Sequence, residues 1–142
     1  MQTPQVAAGV DPLYTSGYNG IAFCVQRGTT AKPFAKANFK GSYNIVELRV
    51  KPSGASTTRT GRITAGAGGI FYGTLGGNAF NGTATFFDSG VFSLSNLSDA
   101  DATMGVGGDF AVLTKKSGLV NGGSGEAYVQ IWLRVAGGAT PA

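Results

Sequence analysis

The sequence predicts an all-β protein: a single antiparallel sandwich or barrel of about eight short strands, with little or no helix. Three observations carry that expectation. Glycine makes up 24 of the 142 residues and only 13 % are charged, a balance unsuited to helices, where each interior Gly costs about 1 kcal/mol. The segment Glu126 to Val135 reads EAYVQIWLRV, placing Ala127, Val129, Ile131, Leu133 and Val135 on one side at period two. Tyr128, Gln130, Trp132 and Arg134 fall on the other, which is strand spacing and scatters those apolar residues around a helix. Finally, short segments of this kind recur between turn signals every roughly 8–15 residues, and none alternates with a helix-length stretch.

A chain of 142 residues suits one domain, 1–142, able to bury about two-thirds of its unfolded surface. An apolar content of 42 % excludes a disordered chain.

Taken in order, 1–19 contains Pro4 and Pro12, no periodicity, and Tyr14 and Tyr18. It reads as an extended N-terminal arm, and 137–142 as a C-terminal tail. Such ends hold a structure only when tied down, and docking on a neighbour is expected. Asn19-Gly20 is a turn signal before a strand from Ile21 to Arg27. After Pro33, Phe34 to Phe39 reads as a short edge piece. Tyr43 to Lys51 is a clear strand, with Val46, Leu48 and Val50 pointing one way and Glu47, Arg49 and Lys51 the other. Pro52 to Thr60 (PSGASTTRT) reads as a mobile loop.

Arg62 to Ala65 and Gly69 to Leu75 follow as short strands. Ala79 to Phe87 places Phe80, Ala84 and Phe86 on one face, with Gly82 marking a bulge or a close backbone approach. Val91 to Ser95 is a further strand. Leu97 to Thr103 is the one helical turn expected, capped by Ser98. Gly108 to Thr114 is a strand, Lys115 to Gly125 a loop, and Glu126 to Val135 the last strand. There the five-residue aliphatic face is expected in a core. The opposite face carries Tyr128 and Trp132, and is expected against a second sheet or another subunit.

Catalytic equipment is missing. The chain has no His, the commonest general base and metal ligand. Its single Cys, Cys24, has no partner for an internal disulfide, which favours a reducing compartment, and it reads as a structural thiol. Ser98, Asp99 and Asp101 suit a capped turn better than a calcium loop. Asp88, Asp109 and Glu126 are scattered over turns and strand starts. The clusters 66–69 and 105–108 lack the Lys-Ser/Thr and helix that make a phosphate loop. The expectation is a protein that is not an enzyme and needs neither cofactor nor metal.

Charge is the one uneven feature. Arg27, Lys32, Lys36, Lys40, Arg49, Lys51, Arg59 and Arg62 stand against Glu47 alone, a net +7 between 27 and 62. The remainder carries Lys115, Lys116 and Arg134 against Asp11, Asp88, Asp99, Asp101, Asp109 and Glu126, a net −3. The eight cations form a candidate surface for RNA or DNA, with Phe34, Phe39 and Tyr43 interleaved as base-stacking rings. The same split also suits contact with the acidic half of a neighbouring subunit.

Together these features are expected of a self-assembling structural protein, most concretely a virus or phage capsid, coat or decoration subunit. Tyr14, Tyr18, Tyr128 and Trp132 are its expected subunit contacts, and it is placed in a virion or the cytoplasm of the producing cell. The sequence has no apolar run of about 18 residues that would span a membrane. Met1 to Val10 lacks the pattern of a secretory signal. The second reading is a secreted barrel or sandwich that binds a small ligand, glycan or protein through Tyr14, Tyr18, Tyr43, Tyr72, Tyr128 and Trp132.

Overall fold

The computed structural model of the chain describes residues 6–11, 20–51, 54–115 and 126–135. Alternating sequence becomes strand almost throughout. A hairpin of β1 (Val6–Asp11) and β2 (Gly20–Val25) precedes the main sheet, which is built from β3 (Gly41–Val50), β4 (Ser56–Ala65), β5 (Ile70–Leu75), β6 (Asn78–Ala79), β7 (Gly82–Phe86), β8 (Val91–Leu94), β9 (Leu97–Met104), β10 (Phe110–Lys115) and β11 (Ala127–Arg134). Every pairing is antiparallel. The order is β4-β3-β11-β10-β9-β8-β7-β5-β6, and β4 also pairs with β5. That last pairing closes eight strands into an up-and-down barrel, with β6 a two-residue extension beside β5. Closure removes the sheet edges that an open sandwich would leave.

Side chains fill the barrel, as the diameter of eight strands allows. Trp132 is fully buried at its centre. The rings of Phe39, Tyr43, Phe71, Phe80 and Phe92 lie 5.7–6.4 Å from it, centre to centre. Such ring pairs contribute about 0.5–1.5 kcal/mol each beyond the area they bury.

Both long strands present the opposite face to the interior from the one hydrophobicity alone selects. On β11 it is Tyr128, Gln130 and Trp132 that are buried, whereas Leu133 is half exposed. On β3 the buried residues are Tyr43, Ile45 and Glu47, while Val46 and Leu48 are exposed. The register explains the agreement between the strands, since Glu47 pairs with Gln130 and Ile45 with Trp132, and cross-strand partners share a face. Tyr128 and Trp132 therefore lie inside the barrel, and the expected subunit contact through them is corrected. Tyr14 and Tyr18 lie outside the described residues, as does the 137–142 tail.

Other expectations change too. Phe34 to Phe39 is not an edge strand: Lys36–Asn38 makes a 3-10 turn that sets Phe34 and Phe39 into the core. Leu97 to Thr103 is no helical turn but strand β9, paired with β8 and β10. Most of the expected loop from Pro52 to Thr60 is the first half of β4, and Val6–Asp11 of the expected arm is a paired strand. In the last three cases pairing with a neighbouring strand outweighed a weak local preference.

Gly82 is crowded by side chains rather than by another backbone: a Cβ there would come within 2.9 Å of the Phe71 ring. A tighter constraint sits at the closing seam between β4 and β5. A Cβ on Gly73 would fall 2.0 Å from the Arg62 carbonyl oxygen, and one on Gly61 2.1 Å from that of Thr74. Only glycine lets the two strands approach so closely. Gly73→Ala is therefore expected to lose about 1–3 kcal/mol of stability, the usual cost of overpacking. Hydrogen exchange should show the β4–β5 amides losing protection before those of β9–β11. Equal protection across the barrel in the variant would contradict that account.

Candidate functional site

The cations identified from sequence divide into two groups. Arg49 and Arg59 turn to the barrel interior and hold Glu47, which is fully buried on β3. Oε1 of Glu47 accepts from Nε of Arg49 at 2.9 Å and Nε of Arg59 at 2.8 Å. Its Oε2 accepts from Nε2 of Gln130 at 2.7 Å. Gln130 in turn accepts from the Trp132 indole N–H at 3.0 Å, and Arg49 reaches Glu126 at 2.7 Å. The Arg49 guanidinium also lies 5.4 Å from the Tyr128 ring centre. Burial works to raise the pKa of Glu47, yet the hydrogen bonds from Arg49, Gln130 and Arg59 and the charge of Arg49 outweigh it, holding the carboxyl below its ordinary value. This is a structural charge cluster filling one end of the barrel.

At the other end Tyr43 donates to the Gly108 carbonyl at 2.7 Å, Arg134 pairs with Asp109 at 2.8 Å, and Arg134 also reaches the Asn38 carbonyl. Asp109 and Glu126 thus sit at opposite ends of the barrel, each engaged by an arginine. Among the described residues no group of three or more His, Cys, Asp or Glu side chains comes together.

The second group is exposed: Arg27, Lys32, Lys36, Lys40, Lys51 and Arg62. Arg27 donates to the Ser89 hydroxyl at 3.1 Å. The aromatic residues expected to stack bases beside them do not, because Phe34, Phe39 and Tyr43 belong to the core. The structure supplies a different ring. Tyr72 on β5 is 54 % exposed. It shares an open groove of about 600 Å³ with Lys36, Lys40, Thr64 and the glycine-rich backbone at 66–69. Tyr72 pairs with Thr64 and Thr74 with Arg62, so Arg62 lies diagonally across from Tyr72, within about 7–8 Å.

The sequence matches no protein-family model and no curated protein.

A second surface escaped sequence reasoning. Because Glu47 and Trp132 face inwards, the outer wall of β3, β11 and β10 carries aliphatic residues in register: Val46 beside Ile131 beside Val112, and Leu48 beside Val129. Val46, Leu48 and Leu133 are 47 %, 42 % and 50 % exposed. The two flanks of this wall differ in charge. From Leu48 to Phe87 the chain contains no acidic residue, so the β4–β7 side bears Arg62 and no carboxylate. The other flank is mixed, with the exposed Asp101 on β9 and the exposed Arg27 lining one cleft beside Val112. The signal for this wall was present in the sequence as aliphatic alternation, but it was assigned to the core.

Glu47→Gln is expected to destabilise the protein by about 3 kcal/mol, the low end for breaking a buried ion pair, since both arginines keep some contact with water. The pH dependence has a definite sign. A carboxyl held low in the folded state stabilises it above the ordinary value of 4.5, and that contribution fades as pH falls through the folded pKa. Urea unfolding should show the wild type losing its advantage over Glu47→Gln in acid. A gap between the two that stays constant from pH 7 to pH 3 would refute the assignment.

Proposed function

We propose that this protein is a non-enzymatic, self-assembling structural subunit, most concretely a capsid, coat or decoration subunit of a virus or phage. It associates with further copies through the outer wall of β3, β11 and β10, with its basic side facing nucleic acid. The observation that carries the reading is the exposed aliphatic wall, since contiguous apolar surface rimmed by polar residues marks a protein contact. A second copy is the occupant that fits, because the same aliphatic residues on two copies can bury one another across a two-fold contact.

The packed interior weighs against the reading as a ligand-binding barrel. Of the aromatic residues that would line such a site, Tyr43, Tyr128 and Trp132 are buried in the core, leaving Tyr72 exposed among those described. No helix among the described residues is long and apolar enough to cross a membrane.

Sedimentation velocity tests the assembly. The purified protein is expected to form large species, and Leu48→Glu with Leu133→Glu to return it to a folded 14.4 kDa monomer. Burying each of these leucines contributes about 1.5–3 kcal/mol, so association should weaken at least tenfold per contact. Wild-type protein that stays monomeric across a wide range of concentration and salt would sink the proposal.

A further inference from the structure

We propose that the groove between the Lys36–Asn38 turn and the β4–β5 hairpin binds single-stranded nucleic acid, with Tyr72 stacking on a base and Lys36, Lys40 and Arg62 holding the phosphates. The inference deepens the reading above, in which the basic side meets nucleic acid, and it assigns that role to a residue outside the basic stretch.

Five features converge here. The Tyr72 ring stands more than half exposed on a sheet face, where a base can lie flat against it; base stacking on an aromatic ring needs no particular sequence. Lys36 and Lys40 line the same groove, Arg62 lies diagonally across from the ring, and none of the three makes an ion pair among the described residues. The rim is bare backbone: a Cβ on Gly68 would meet nothing within 4 Å, and one on Gly66 nothing nearer than 3.8 Å. A sugar-phosphate chain can therefore approach closely. At the floor, the Lys36 stem lies against Gly69, its Cε 3.2 Å from where a Cβ would stand, so this lysine is laid along the groove. Last, no carboxylate on β4 or β5 repels phosphate.

A single strand fits better than a duplex because a duplex hides the base faces that Tyr72 would engage. It also fits better than a carboxylate of another copy, which would meet the lysines but leave the ring without a partner.

The test is fluorescence anisotropy of labelled 12-mer oligo-dT and oligo-U, with a 12-base-pair duplex alongside and sedimentation of every variant in parallel. Tyr72→Ala is expected to weaken single-strand binding by between about fivefold and a hundredfold, with Tyr72→Phe close to wild type. Duplex binding should be unmoved by either. Lys36→Ala and Lys40→Ala should each reduce the slope of log affinity against log salt by about 0.7. Equal loss for single strand and duplex on the lysine changes, with no effect of Tyr72→Ala, would overturn the proposal in favour of diffuse charge attraction. No nucleic-acid binding, together with smaller particles on Lys36→Ala, would overturn it in favour of a subunit contact. Monomeric protein that still binds oligo-dT through Tyr72 would keep this groove and remove the assembly reading alone.

Discussion

A carboxylate inside the barrel sets the arrangement of everything else. Glu47 has no contact with water, and such a charge is tolerated only when closely paired and hydrogen-bonded. Its partners come from three strands: Arg49 beside it on β3, Arg59 on β4 and Gln130 on β11. A slip of one residue in either pairing would leave the carboxylate and the partner on that strand facing opposite sides of the sheet. The cluster therefore locks register across β4, β3 and β11. Through Gln130 it reaches the Trp132 indole, tying the polar end of the barrel to its aromatic centre.

The same constraint creates the outer wall. If Glu47 faces inwards, Val46 and Leu48 must face outwards, and pairing carries the choice to Val129, Ile131 and Leu133. The aliphatic residues are thus outside because the larger aromatic and hydrogen-bonding residues are needed inside. Tyr43, Trp132, Gln130 and Glu47 together fill volume, with Trp132, Gln130 and Glu47 joined by hydrogen bonds and Tyr43 donating to the Gly108 carbonyl, which a stripe of valines does not do. Exposed aliphatic surface is the consequence, and the proposed contact with another copy rests on it.

Much of the architecture was legible in the sequence because strand periodicity is a local property. The existence of most strands and the absence of long helices both follow from neighbouring residues. The choice of face is not local. Both faces of β11 carry large apolar groups, and only the partner across the ladder decides between them. Leu97 to Thr103 departs from expectation for a related reason: Ser98 and Asp99 resemble a helix cap, yet β8 and β10 offer pairing on both sides. The basic stretch was visible as a composition, but its members part company in space. Arg49 and Arg59 are consumed by Glu47, while Phe34 and Phe39 are consumed by the core. Tyr72 stands far along the chain from Lys36, and only the turns of the barrel bring them together. The acid-free run from Leu48 to Phe87 was the available hint that the basic wall extends beyond Arg62.

The two proposed surfaces occupy different parts of the wall, separated by the β3–β4 border, so one does not obstruct the other. That separation matters for affinity. A groove with one ring and three cations would engage only a nucleotide or two and, on a lone subunit, would hold a strand weakly. Repeated at fixed spacing on an assembly, the same groove presents its neighbours to the strand at high effective concentration, and avidity exceeds single-site affinity by orders of magnitude. Weak individual contacts then favour a strand long enough to visit many subunits over short fragments. Assembly through the aliphatic wall would in this way turn a modest groove into a selective one, without any change in the groove itself.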